Sequence, residues 1–375
     1  MIDYLQTHAI TIMMVVVLML AAISAMVLIG ALYSRWILNV TKRNRGRKKE
    51  KLSECVIQFI SGDIEVDEVR QIIHVEEDYR ILLEIINDLS SKIDGPEKER
   101  IADLLEMEPI KNYYTSRFYS KNRLEQAKAC LYFARQKSFH YSFLPKVLEY
   151  TAVNYPMLSY AAAMAVIVHG NEDQNRKALK NQLLNEDLSD QAINDLFVEY
   201  QNISDGELKE EVDIIMGFLK ENSFSPSRTA LLIKTLGELN YHESAEFLVQ
   251  KFLSIPAEQE YPDVPLTLIN YMPVFATSEN EEKILNRIHT DFSVSTFSGV
   301  REACAKAMGM FMKDISKPIL MWMLYDKDFY VRFYAAKSLV QFPGVELSSI
   351  KPEDMEDKMW NELVGEVEMA KEQVY

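Results

Sequence analysis

Apolar positions along this chain recur at helical spacing almost everywhere, and strand-like alternation is nearly absent. The clearest stretch runs from Tyr325 to Phe342, YDKDFYVRFYAAKSLVQF. Asp326 and Asp328 fall in a turn, after which Val331, Tyr334, Ala335, Ser338 and Leu339 repeat along one helical face. Ala335 and Ala336 are small enough to let a neighbouring helix approach closely. Arg332 follows Val331 and points back towards the turn, where its fork can hold acidic side chains or carbonyls. The same order of residues stands 31 positions earlier, with Val300, Arg301 and Ala303 in GVREACAKAMGMF. Weaker echoes are SRTALLIKTLGEL, which keeps its arginine, and YPMLSYAAAMAVIVHG, which does not.

The rest of the chain reads as helix after helix. An amphipathic segment over 50–61 buries Leu52, Cys55, Val56, Phe59 and Ile60. Asp94-Gly95-Pro96 marks a strong turn, with Pro96 suited to a first helical turn. The connection 255–265 carries three prolines and is the clearest long loop. An acidic amphipathic helix over 353–372 has the polar outer face that the end of a stack of repeats needs. About nineteen helices are predicted after residue 35, or about eight to nine pairs, at variable spacing. Residues 52–120 form a divergent helical part, 121–352 the regular repeats, and 353–375 a capping helix and tail.

One run breaks the amphipathic pattern. Residues 9–32 are a stretch of 24 with no charge. Its length predicts a transmembrane helix over 9–34, since about 20 apolar residues cross a ~30 Å hydrocarbon core. A cleaved signal peptide fits worse, because residues 1–8 lack Lys and Arg and the run is long for one. Tyr33 and Trp36 would lie at the membrane interface. Arg35, Lys42 and Arg43 open a basic segment over 35–51, and no basic residue precedes the run. That asymmetry predicts a single-pass protein of the bacterial inner (plasma) membrane, with 1–8 outside and the large domain cytoplasmic. The basic segment would attract anionic lipid headgroups and act as a stalk over 37–51.

Charge narrows the partners. The 375 residues hold 41 basic and 56 acidic side chains, a net of -15, and residues 52–375 alone hold 33 and 54. A nucleic-acid binder needs a basic face, so no nucleic-acid partner is expected. Aromatic residues crowd the segment 110–135. Tyr113, Tyr114, Phe118 and Tyr119, with Tyr132 and Phe133, cannot all turn inward from a thin two-layer repeat; they are core, or in part a partner-binding face.

Nothing carries recognisable chemistry. Glycine-rich phosphate loops, HExxH, CxxC and a nucleophile elbow are absent. Six histidines are scattered, and Cys55, Cys130 and Cys304 stand far apart in apolar settings, as small buried hydrophobes do. Acidic clusters such as Glu76-Glu77-Asp78 fall at helix starts, where the helix dipole favours them. No catalytic residue, metal or cofactor is expected.

The Asp-turn, Val-Arg and Ala-Ala order over 299–342 resembles the HEAT repeat family, and phycobilisome-lyase-type repeats share it. The resemblance implies an all-α protein in which the transmembrane helix leads into a HEAT-like α-solenoid. It also implies a non-enzymatic scaffold or accessory subunit, anchored at the cytoplasmic face and binding a protein partner, itself an integral membrane protein. HEAT-like proteins with one amino-terminal span resemble accessory subunits acting beside a membrane glycosyltransferase in bacterial polysaccharide synthesis and export. The alternative is an enzyme on the same frame, of the lyase or nucleic-acid glycosylase type. Glycosylases of that frame have a strongly basic groove, opposite to the charge here.

Overall fold

A computed structural model shows an all-α, helical-repeat-like protein. It describes residues 2–90, 93, 96–203, 208–221, 223–239, 242–256, 260–352 and 355–372, with only the backbone described for 2–18, 20–23, 25, 41 and a few other helical positions. The predicted Asp94-Gly95 turn, residues 257–259 of the proline-rich connection and residues 373–375 lie outside the described residues. The chain divides into two compact units, Met1–Tyr141 and Ser142–Tyr375.

The first unit holds α1 (Ile2–Ser61), α2 (Val66–Ile72), α3 (Glu76–Ser90), α4 (Pro96–Leu105), α5 (Glu108–Phe118) and α6 (Arg123–Arg135). Helix α1 packs on α2, α3 and α4, and α6 packs on α5 and α4. Leu52, Val56, Phe59 and Ile60 of α1 and Ile81, Leu82, Ile85 and Ile86 of α3 are buried. Cys55 joins the same stripe, and burial pushes its thiol up.

Here the reading of the amino-terminal region is corrected. Among the described residues no helix is long and apolar enough to cross a membrane. This overturns the transmembrane helix, and with it the single-pass inner-membrane topology and its interfacial residues. The exposed apolar side chains described there run from Met26 to Val40 and are interrupted by Arg35. The side chains of 9–18, 20–23 and 25, and those of the predicted outer segment 1–8, lie outside the described residues.

The stalk is corrected too. Residues 37–51 continue α1 without a break, since Lys, Arg and Glu are good helix formers and Gly46 alone does not end a helix. Their charges turn sideways onto α3. Lys48 pairs with Asp78 at 3.0 Å, Arg45 with Glu77 at 3.2 Å and also with Glu84, and Lys49 with Asp88 at 3.2 Å. Asp78 meanwhile accepts from the His74 and Val75 N–H groups at 3.1 Å, capping α3. Burial alone would raise the Asp78 carboxyl; Lys48 and the two N–H donors more than offset it and hold the pKa below the usual range. Tyr33 and Trp36 stack on each other at 6.1 Å. Arg35, Lys42 and Arg43 stay exposed and form no ion pair among the described residues.

The second unit holds α7 (Leu144–Tyr150), α8 (Pro156–His169), α9 (Glu172–Leu183), α10 (Asp190–Ile203), α11 (Leu208–Glu221), α12 (Pro226–Leu239), α13 (His242–Ser254), α14 (Asp263–Phe275), α15 (Glu281–Arg287), α16 (Ser298–Phe311), α17 (Lys317–Met323), α18 (Phe329–Leu339) and α19 (Asp357–Glu372). Helix α8 packs against α7, α9 and α10. Beyond it, α12, α14, α16 and α18 pack in succession as one row, with α11, α13 and α17 beside α12, α14 and α18. Stacked helical pairs of this kind are consistent with a solenoid.

Small residues make the row tight. Ala303, Cys304, Ala305, Ala307 and Gly309 of α16 and Ala335, Ala336 and Ser338 of α18 are buried, and Ser338 Oγ donates to the Ala305 carbonyl at 2.8 Å. A Cβ on Gly309 would come 2.6 Å from Ser338 Cβ and 3.1 Å from its Cα, and one on Gly237 of α12 would meet the Tyr271 ring of α14 at 2.5 Å. Gly365 in α19 faces open space. Alanine there should therefore stabilise by roughly 0.5–1 kcal/mol through helix propensity. The same change at Gly309 should cost about 1–3 kcal/mol, because a backbone must move. Urea denaturation of both variants checks this; equal signs would contradict the close approach.

Candidate functional site

The aromatic segment separates into three environments. Tyr114 and Phe118 lie four residues apart on α5, one face of a helix, and both are buried. Tyr114 stacks on Tyr132 of α6 at 4.6 Å and Phe118 meets Phe133 edge-on at 5.3 Å. The Tyr114 hydroxyl donates to the Tyr79 carbonyl at 3.1 Å and the Tyr132 hydroxyl to that of Leu105 at 2.7 Å, so neither buried phenol is orphaned. Desolvation pushes both phenols well above their ordinary range. These two rings belong to the core and cannot line a contact face.

Tyr113 is half-buried at the centre of a charged network. Its hydroxyl accepts from Arg80 Nε at 3.1 Å and donates to Glu76 at 3.1 Å. Glu76 also binds Arg80 at 2.9 Å and Arg117, whose guanidinium lies 5.0 Å from the Tyr113 ring centre. Buried Glu125 meets Lys128 at 2.8 Å and both arginines at 3.7 Å. Burial alone would raise its carboxyl; the three cations more than offset this and hold the pKa down. Only Tyr119, 68 % exposed, is offered to solvent.

The repeat residues converge on one turn. Val300, Ala303, Val331, Ala335 and Ala336 are buried. Arg301, 5 % exposed, grips Asp326 with Nε to Oδ2 at 2.6 Å and Nη2 to Oδ1 at 2.8 Å. Its third nitrogen donates to the Ser295 and Thr296 carbonyls at 2.8 and 3.2 Å. Asp326 Oδ1 takes the Asp328 N–H at 2.8 Å, Asp328 caps α18 by accepting from Tyr330 N at 2.9 Å, and Arg332 donates to the Asp326 carbonyl at 2.6 Å. The device recurs. Arg228 reaches the Asn185 and Leu188 carbonyls beyond α9, Arg287 those of Phe252 and Ile255 at the end of α13, and Arg100 those of Phe59 and Ile60 at the end of α1. Each ties a helix to carbonyls of a turn or helix end elsewhere in the chain. These arginines fix turns.

No protein-family profile and no curated protein sequence matches this chain.

One cleft went unsignalled by the sequence. Ser278, Glu281, Asn286, His289, Lys313 and Ile315 are among the residues around a space of about 740 Å³. His289 sits in a π-helical turn, Ile288–Phe292. Burial pushes its imidazole down, which keeps it neutral near pH 7, and Nε2 lies 3.0 Å from Ser316 Oγ. Ser316 is fully buried and outside the lining, so it orients the ring and is not a nucleophile open to a ligand. Lys313 is held by Glu281 at 2.9 Å. A smaller, Asn-rich cleft of about 430 Å³ lies around Thr151, Asn181 and Asn185. Among the described residues no group of three or more His, Cys, Asp or Glu could hold a metal ion. Cys130 and Cys304 are buried, and desolvation raises both thiols out of the reactive range.

Proposed function

We propose that this chain is a non-enzymatic, HEAT-like repeat scaffold that binds a protein partner. The supporting observation is the α17–α18 hairpin. There Trp322, Tyr325 and Tyr330 are each more than half exposed, on a turn held rigid by the Arg301–Asp326–Arg332 lock. Large aromatic side chains displayed by a fixed backbone are what protein interfaces draw on, because they cover much area at little entropic cost. The apolar side chains of α1 between Met26 and Val40 add a second exposed surface of the kind that marks contact sites. An association with polysaccharide machinery would require a membrane span, which no helix supplies among the described residues.

Chemical cross-linking in cells, followed by affinity purification of the full chain and mass spectrometry, tests the reading. A stoichiometric protein partner is expected, with its yield reduced by a Trp322→Ala/Tyr325→Ala/Tyr330→Ala variant. Recovery of the chain alone at native expression would overturn it.

A further inference from the structure

We propose that the exposed corner between α5 and α6 is a docking site for a short acidic peptide segment that carries an apolar or aromatic side chain. The proposal rests on the protein-binding reading above and names the chemistry of one contact.

Charge makes the corner stand apart. The whole chain has a net charge of -15, yet residues 108–137 hold seven basic side chains against two acidic ones. Some of these cations are already committed. Lys137 pairs with Asp103, and Arg117 and Lys128 hold Glu76 and Glu125. Lys121 and Arg123, at the corner itself, are not. Both are exposed; Arg123 makes one side-chain bond, to Gln126 Oε1 at 3.1 Å, and Lys121 makes no ion pair among the described residues. Flanking them in the chain are Tyr119, 68 % exposed, and Leu124, 37 % exposed.

The corner is also built to hold its shape. Asn122 caps α6 by accepting from Leu124 N at 2.9 Å, and its own N–H donates to Ser120 Oγ at 3.1 Å. Buried Gln126 reaches back to the Ser120 carbonyl at 2.7 Å, and the Tyr119 ring packs edge-on against Phe118 at 5.2 Å. A backbone fixed in this way loses little freedom when a ligand settles on it. Two exposed cations without a carboxylate partner among the described residues, and two exposed apolar side chains, on one short stretch of chain match a segment with a pair of carboxylates flanking one hydrophobic residue. They are too few for a nucleic acid, whose binders neutralise about 6–10 phosphates.

Fluorescence anisotropy of the full chain with a short labelled peptide, rich in Asp and Glu around a Leu-Trp pair, tests the site. Binding that weakens with added salt is expected. Lys121→Glu/Arg123→Glu should weaken it about tenfold or more, and Tyr119→Ser should weaken it without changing the salt dependence. Lys121 and Arg123 are exposed and neither holds a carboxylate among the described residues, so an unchanged melting temperature of the charge-reversed variant is expected to accompany the loss. Salt-insensitive binding, equal binding by the charge-reversed variant, or tighter binding to a single-stranded oligonucleotide or to phosphatidylserine vesicles would each overturn the proposal. Should the charge-reversed variant still capture the cross-linked partner while the peptide never binds, the corner is refuted and the scaffold reading survives. If the native chain captures no partner, the scaffold reading itself fails.

Discussion

Replacing Arg301 by alanine is expected to destabilise the chain by about 3–5 kcal/mol, the range for removing one member of a buried ion pair. The cost comes from what stays behind. Asp326 is as buried as its partner, so the variant leaves a carboxylate in a dry setting with only the Asp328 N–H to hold it. The Ser295 and Thr296 carbonyls lose their donor in the same step. Arg301→Lys keeps a charge but cannot reproduce the fork that reaches Asp326 and two carbonyls together, so an intermediate loss is expected. The pair itself need not be a net stabiliser: Arg301→Leu/Asp326→Leu should cost less than either single change to alanine, since no charge is then left unpaired. Urea titration of the set decides it. Single-variant losses below about 1 kcal/mol would show that the pair behaves as an exposed one.

The lock also has a pH signature. Burial alone would raise the Asp326 carboxyl, but Arg301 and the Asp328 N–H more than offset it and hold the pKa below the ordinary value. A depressed folded pKa means stability that is present above the unfolded value and lost as pH falls through the folded one. The native chain should therefore lose this contribution on acidification, and the Arg301→Leu/Asp326→Leu variant should not.

How far the sequence could reach shows best at particular residues. The helical period was strong enough to place α16 and α18, and the Val-Arg and Ala-Ala order marked the row of close-packed helices. The spatial partner of Arg301 was not legible, because Asp326 is 25 residues away and several acids lay as near. The basic run after residue 41 read as lipid-facing for the same reason: nothing local announces that α3 brings four carboxylates alongside it. The aromatic cluster was more decipherable than its crowding suggested, since Tyr114 and Phe118 are four apart and Tyr119 falls off their stripe. His289 and its cleft gave no signal, because a π-helical turn leaves no mark in residue type.

Glu211 is the residue whose burial the local composition hid and the spacing could have revealed. It opens α11 among Glu210 and Asp213, which reads as a solvated helix start favoured by the dipole. Yet Glu211, Ile215 and Phe218 share one helical face, and Glu211 is only 3 % exposed, with Oε2 lacking any hydrogen-bond partner among the described residues. Desolvation raises its pKa from the usual 4.5 to about 7. An acid raised in the folded state favours folding fully below its unfolded pKa, and that advantage is lost as pH climbs through the folded value. The native chain should thus weaken between about pH 4.5 and about pH 7 and level off above, by about 3 kcal/mol from this group at 1.36 kcal/mol per unit. Glu211→Gln cannot ionise, so its stability relative to native should rise across that window by the same amount, whatever constant cost the buried amide adds. Glu211→Met, which also removes the unsatisfied oxygen, should be the more stable of the two throughout. Melting curves from pH 4 to 8 for the three proteins give the result. Parallel native and Glu211→Gln curves would mean that the carboxylate finds solvent or a cation on ionising, and the buried-acid account would fall.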